Sequence, residues 1–387
     1  MLRNIYNSQN KCRSTTGAIR RNVYISYREY SAGTGTNARI GGIDSITAGL
    51  IDDKERWDAF IDESASGRLF HRWDFMKITE KHTGFRFLPY GIFKGNELIS
   101  VFPLFQKQMH GINLLLSPPP LQSVIPYLGF VMGRRYETAK QSKKESMLAN
   151  VAQDLEGEFA ALAPNYLAMT QVPGFIDIRR FLGEGYDTRI HFSYLIDLKP
   201  PLQEIQDGFS SNLRTKLRKV EKNGYRLEKS TDISIFYSTV AGRFSDPEMN
   251  VPMISRAYFE DLFRAYPDEL GLYYLYDTEG AVTGVQATQE YKVFTLWMGA
   301  PKMTAMPGNE FLQWLLLQQA KNEGYCHMEN LGANNENLNL FKSKFNPSLT
   351  LYLELSRQDL IGRVARWAYS TIASKGPVKR KVLPYFG

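Results

Sequence analysis

The sequence predicts an α+β protein built from two similar halves, and three observations predict it. Turn signals and hydrophobic periodicity give one order of elements twice: two helices, antiparallel strands, a helix, a strand. The two runs lie on either side of the stiff pair Pro200-Pro201. A length of 387 residues suits two or three domains. Hydrophobic residues make up 43% and charged residues 22%, which is too apolar and too weakly charged for a chain that stays disordered. Apolar runs such as Leu114 to Leu116 and Trp314 to Leu317 fall far short of the ~20 residues that span a bilayer, which excludes an integral membrane protein.

The elements follow in order. Residues 1–44 are rich in Asn, Ser, Thr, Gly and Arg, lack periodicity and have no apolar stretch of the secretory kind; they are expected to be a disordered basic tail. A first domain is expected over 45–200. Asp52 to Ser64 carries Trp57, Phe60 and Ile61 at helical spacing behind an acidic first turn, and a second helix is expected from Phe70 to His82. Tyr90 to Phe93 and Glu97 to Phe105 flank Lys94-Gly95-Asn96, which reads as a hairpin. Leu114 to Leu116 runs into Ser117-Pro118-Pro119-Pro120, where proline ends any ladder. Gln141 to Leu162 is amphipathic, and Tyr166 to Gln171 and Phe192 to Leu198 read as strands.

The second domain is expected over 201–356. A basic helix from Leu202 to Asn223 stops at Gly224, and Asp232 to Ala265 is helical in two pieces because Pro247 and Pro252 would break one helix. Strands Leu272 to Asp277 and Val282 to Glu290 join across Thr278-Glu279-Gly280. Strand Val293 to Gly299, a helix from Asn309 to Asn322, and strands Cys326 to Asn330 and Thr350 to Leu355 complete it. Residues 357–387 form a basic amphipathic tail.

The charge is uneven. Residues 1–40 and 357–387 each carry seven basic side chains against one acid, so subtracting those twelve charges from the net +7 leaves −5 for residues 41–356. A folded body without a basic excess argues against a nucleic-acid binder. Cys12 and Cys326 make at most one bridge, which suits a reducing, cytoplasmic setting. Five histidines without HxH or HxxxH spacing give no reason to expect a metal.

Three segments in this order, SSNLRTKLRKVEKNGYRLEKS in the basic helix, MPGNEFLQWLLLQQAKNEGYCHMENLG, and NLFKSKF, resemble the FemAB-like and CelD/BioF-like branch of the GNAT acyltransferases. Phe341-Lys342-Ser343-Lys344-Phe345 matches that family's FKxxF motif, and RLFHRWDFMKI is similar to its aromatic-rich first-half helix. The likeness spans about residues 45–356 and implies two tandem GNAT-like domains, each a mixed, mostly antiparallel sheet flanked by helices. It implies transfer of an aminoacyl or acyl group to an amine of a cell-envelope precursor or glycan, from aminoacyl-tRNA or acyl-CoA, with no cofactor held. The sequence departs from the CoA-dependent pattern at Lys302 to Asn309, which carries one glycine where a Q/R-x-x-G-x-G/A turn would cradle pyrophosphate. Asn346 stands where the family often has Gly; Asn tolerates the left-handed backbone.

The candidate residues each have a plainer reading. Lys342 would stabilise the oxyanion of ester aminolysis or be a solvated surface lysine on an amphipathic strand. Glu329 and Asn330 end a strand, where a carboxylate would accept the proton of the attacking amine or cap Asn334-Asn335. Arg214 and Arg218 share a helix face and, with Lys216, would hold phosphates of a lipid- or nucleotide-linked acceptor or of charged tRNA, or else line a solvated face. Asn309, Trp297 and Lys344 complete the expected substrate contacts. His71 and His327 are bases by type that more often satisfy a core. Residues 360–386 combine an apolar stripe with a basic cluster that suits an anionic membrane at the inner face, or a helix packed on the second domain. A non-catalytic scaffold on a membrane surface is the reading from another class.

Overall fold

A computed structural model describes residues 46–121, 124–244, 254–301, 308–334 and 336–373. The expected N-terminal tail, the prolines Pro247 and Pro252, most of the Lys302 to Asn309 turn and the basic cluster around Arg380 lie outside these residues.

The described residues form thirteen strands in one sheet. In the first half β1 (Ile46–Leu50), β2 (Arg86–Lys94), β3 (Glu97–Met109) and β4 (Ile112–Ser117) pair antiparallel in sequence, with β5 (Val131–Met132) beside β3, and β4 then pairs in parallel with β6 (Tyr166–Thr170). In the second half β8 (Arg226–Lys229), β9 (Leu270–Tyr276), β10 (Val282–Glu290) and β11 (Phe294–Pro301) are antiparallel neighbours, and β11 runs parallel to β12 (His327–Asn330). Each half thus has a mostly antiparallel sheet with one parallel pair, as the α+β reading expects.

The halves join through an exchange. The strand β7 (Asp187–Asp197), which precedes Pro200, pairs with β12 of the second half; the last strand, β13 (Ser348–Gln358), pairs with β6 of the first. β7 and β13 pair with each other over nine residues, which makes the sheet continuous.

Helices cover the sheet where their apolar stripes dictate. In α1 (Lys54–Glu63) Asp53 caps the start by accepting from the Arg56 N–H, and Trp57 and Ile61 are buried. The helix expected from Phe70 is a short 3₁₀ turn, Leu69–His71, followed by α2 (Trp73–Thr83), closed by Gly84 at φ +67°. α3 (Arg134–Thr138), α4 (Gln141–Leu162) and α5 (Arg179–Gly183) complete the first half. The single helix expected over Leu202 to Asn223 is two, α6 (Leu202–Asp207) and α7 (Ser211–Val220), because Ser210 takes an extended backbone and its side chain caps α7 at the Leu213 N–H. Then come α8 (Ser234–Phe244), α9 (Arg256–Ala265), α10 (Gly308–Asn322), α11 (Glu336–Lys342) and α12 (Leu360–Ala373).

Three cores result. One lies between β3, β4 and α4, and one between the second-half sheet and α7 and α10. The third is shared: Trp57, Phe70 and Phe75 of the first half pack with Tyr258, Phe259 and Trp297 of the second. Polar links cross it, from the Phe75 N–H to the Tyr266 hydroxyl at 2.9 Å and between the Thr79 and Tyr258 hydroxyls at 3.1 Å. The two halves are one packed body.

Candidate active site

Side chains alternate along a strand, so consecutive residues of β12 face opposite ways. Glu329 turns toward the first half and Asn330 toward α10, where its amide donates to Gln313 Oε1 at 3.0 Å. The two were expected together and the sheet separates them.

Glu329 is fully buried at the junction of the halves. One carboxylate oxygen accepts from the Tyr127 hydroxyl and the other from the Ser193 hydroxyl, each at 2.8 Å. Tyr127 comes from the loop between β4 and β5, and Ser193 from the exchanged strand β7. Burial pushes the Glu329 carboxyl above the ordinary glutamate value, opposed by Arg68, the two hydroxyls and Lys342. The same burial, with Glu329 beside it, holds the Tyr127 phenol well above its usual value.

Lys342 ends α11 and is itself buried. Its ammonium donates to the carbonyls of Leu331 and Gly332, at 2.7 Å for the latter, and so braces the turn that leaves β12. The surrounding FKxxF segment is a helix end and a 3₁₀ turn, not a strand: Phe345 packs on Phe209 at 5.3 Å and Phe341 at 6.0 Å, and Asn346 takes φ +52°. His71 is buried and spent: its Nδ1 accepts from the Arg68 N–H and its Nε2–H donates to the Leu128 carbonyl, both at 3.1 Å. Burial lowers its pKa to about 3, so it is neutral at physiological pH and has no lone pair left to act as a base.

A second group assembles at the start of α10. Glu310, in its first turn, accepts from Lys216 at 2.9 Å and faces Lys344 at 3.7 Å, with Asn309 half-buried beside it. Lys344 also lies over the Phe341 ring. Lys216 and Lys344, predicted from separate stretches, therefore meet at a carboxylate that was not among the predicted residues, and Asn309 precedes it in α10. Arg214 donates to the Asp207 carbonyl at 2.9 Å, at the C-terminal end of α6, and Arg218 is exposed one turn on. Trp297 lies in the shared core at 5% exposure instead of lining an open cleft, its indole N–H donating to the Val124 carbonyl at 2.7 Å. His327 is half-buried on β12, its pKa lowered by burial.

A cleft of about 340 Å³ opens elsewhere in the first half, between Phe60, Glu97, Gly133 and Arg135, and contains none of the predicted residues. Among the described residues no three His, Cys, Asp or Glu side chains gather to hold a metal ion. None of the described helices is long and apolar enough to cross a membrane.

Two GNAT-like units side by side, each with a parallel strand pair inside an otherwise antiparallel sheet, define a tandem GNAT fold. Solved structures share it, FemX among them. The chain is similar to FemX, with 13% identity over 79% of this chain and 96% of that one and a TM-score of 0.60. It is also similar to a DUF2156 C-terminal domain ascribed to a lysylphosphatidylglycerol synthetase of Agrobacterium fabrum, with 14% identity over 80% and 93% and a TM-score of 0.50. A tandem GNAT protein from the clavulanic acid biosynthesis pathway matches over 81% and 98%, at 9% identity and a TM-score of 0.45. No protein-family model matches the sequence, and no curated protein matches it.

Proposed function

We propose that this protein is an acyltransferase of the FemAB-like type, moving an aminoacyl group from charged tRNA to an amine of a cell-envelope or glycan precursor. The observation that carries the reading is the Glu329 carboxylate, buried between the halves with two hydroxyl donors and a raised pKa on a fold shared with FemX. Aminolysis of an ester needs a base for the proton of the attacking nitrogen and positive charge for the tetrahedral oxyanion. In this mechanism the amine nitrogen bonds to the ester carbonyl and gives a proton to Glu329. The intermediate then expels the ribose oxygen, which takes up a proton as it leaves. Lys342 holds the Leu331–Gly332 turn in place and lends its charge nearby. Arg214 and Arg218 supply cations for phosphates of the acceptor or of the tRNA end, with Lys216 held on Glu310 beside them.

The choice of aminoacyl-tRNA over acyl-CoA is favoured by Glu310. A helix N-terminus that holds pyrophosphate presents bare N–H groups to it, whereas the first turn of α10 carries a carboxylate already paired with Lys216 and Lys344. A pyrophosphate there would have to displace that carboxylate from its two lysines. The acyl-CoA reading, as in polysaccharide acetyltransferases, and the non-catalytic scaffold remain outcomes of one experiment. Purified protein is incubated with radiolabelled aminoacyl-tRNA or with acetyl-coenzyme A across a panel of envelope precursors. Transfer from the tRNA alone supports the proposal, transfer from acetyl-coenzyme A reverses the donor, and transfer from neither leaves the scaffold.

A further inference from the structure

From Leu360 to Trp367 the helix α12 sits on the protein with the wrong side down. A surface helix ordinarily buries its apolar stripe and exposes its polar one. Here Gly362 is the buried contact: a Cβ at that position would collide with the carbonyl oxygen of Asn165, so only glycine lets the helix approach so closely. Asp359 fixes the same side, one oxygen accepting from the Gly362 N–H at 2.7 Å and the other from the Asn165 amide at 2.9 Å. The stripe formed by Leu360, Ile361, Val364 and Trp367 faces outward, with exposures of 69, 57, 57 and 68%. Of the large hydrophobic residues on α12 whose side chains are described, none is buried. An apolar stripe held outward by a docked opposite face marks a surface that meets something else.

The charge around it selects the partner. From Leu360 to Gly387 the chain carries Arg363, Arg366, Lys375, Lys379, Arg380 and Lys381 and no acidic residue. A second copy docked by the same stripe would bring Arg363 and Arg366 of one copy toward those of the other with no acidic residue on α12 to offset them, because a two-fold contact pairs a patch with itself. An anionic lipid surface instead supplies both what the stripe needs and what the arginines need, and tryptophan favours that boundary. We propose that α12 docks the protein on an anionic membrane surface, its apolar stripe entering the headgroup boundary and its basic residues meeting the lipid charge. The inference stands whether or not the transferase reading holds, since it uses none of that site's residues.

The test uses the full chain and extruded vesicles. Protein should cosediment with phosphatidylcholine vesicles containing about one third phosphatidylglycerol, and not with phosphatidylcholine alone. Binding should weaken at least about tenfold as ionic strength rises from ~0.05 to ~0.5 M, where the Debye length shrinks to a few ångströms. Trp367 emission should shift to the blue and be quenched by brominated lipid. The double variant Ile361→Asp/Val364→Asp should bind about tenfold or more weakly with an unchanged melting temperature, because both side chains are exposed. If that variant fails to fold, quenching of Trp367 in the wild type still decides. Absence of binding to anionic vesicles, equal binding to neutral ones, or unquenched Trp367 overturns the proposal. So does a concentration-dependent dimer or a soluble protein partner that the double variant abolishes.

Discussion

A carboxyl group that is fully buried and still accepts two hydroxyl donors is held between its two protonation states. At Glu329 burial favours the neutral acid, while Tyr127, Ser193, Arg68 and Lys342 favour the anion, and the net displacement is upward. Such a group takes a proton at a higher pH than an ordinary glutamate does, so kcat for amine acylation should fall on the acid side at a pH above the ordinary glutamate value. Glu329→Gln should lower kcat by about 10²–10⁴. Stability should move the other way. A raised folded pKa means the native state prefers the protonated form more than the unfolded chain does, so its contribution is lost as pH rises through that value; Gln removes the loss, and the variant should melt no lower than wild type at pH 8. Full turnover by Glu329→Gln would make the residue purely structural. His71 has the opposite linkage. Its folded pKa of about 3 lies below the unfolded 6.5, so its contribution is complete above 6.5 and drains as pH falls toward 3, at up to about 1.4 kcal/mol per pH unit. Thermal melts from pH 7 to 4 should show the decline, and His71→Asn, which keeps an acceptor for the Arg68 N–H, should flatten it. Glu329 was legible in the sequence because it ends a strand after a helix. Tyr127, Ser193 and Arg68 were not, since they reach it from a loop, an exchanged strand and the other half of the chain, and no local pattern records those meetings.

Elements were legible where a turn or a stripe states them locally. Gly95 at φ +57° and Gly280 at φ +81° close the two expected hairpins, and Gly324 at φ +81° follows α10 as a helix stop does. What escaped was decided by packing. The break between α6 and α7 lies where Ser210 caps one helix while its N–H donates to the Lys344 carbonyl at 2.9 Å, so the FKxxF segment is wedged into a gap that looked like continuous helix. β1 and β8 are the sheet's two edges, short and half-exposed, with little periodicity to reveal them. The element most exposed to a single change is α2. Phe75 is 0% exposed, its ring packs on Phe70 at 5.5 Å and Trp297 at 6.4 Å, and its N–H is satisfied by Tyr266. Phe75→Ala should cost about 3–5 kcal/mol in denaturant melts, and Tyr266→Phe about 1–3 kcal/mol, since it strands a buried N–H. A loss under ~1 kcal/mol for Phe75→Ala would mean that the shared core does not bind the halves.

On the scale of the whole molecule the exchange of β7 and β13 governs how the chain folds. Duplication was legible because the order of elements repeats around Pro200; the exchange was not, because a strand reads the same whichever sheet receives it. Without β13, the first half exposes the edge of β6 and leaves β7 with neither of its neighbours, β12 and β13. Without the first half, the second loses the strand between β12 and β13, and Glu329 loses both of its hydroxyl donors, Tyr127 and Ser193. Unpaired edges of this kind aggregate. A fragment of residues 45–200 expressed alone should therefore be insoluble or lack cooperative melting, and so should 201–387. Co-expressed, the two should associate and recover a soluble species, because the pairing over nine residues of β7 and β13 and the aromatic core at Phe75 and Trp297 form between chains as they do within one. Unfolding of the intact protein should then be a single transition by both circular dichroism and tryptophan fluorescence, since Trp57 and Trp297 report the same shared core from opposite halves. Two resolved transitions, or a soluble 45–200 fragment that melts cooperatively, would show instead that each half closes its own sheet.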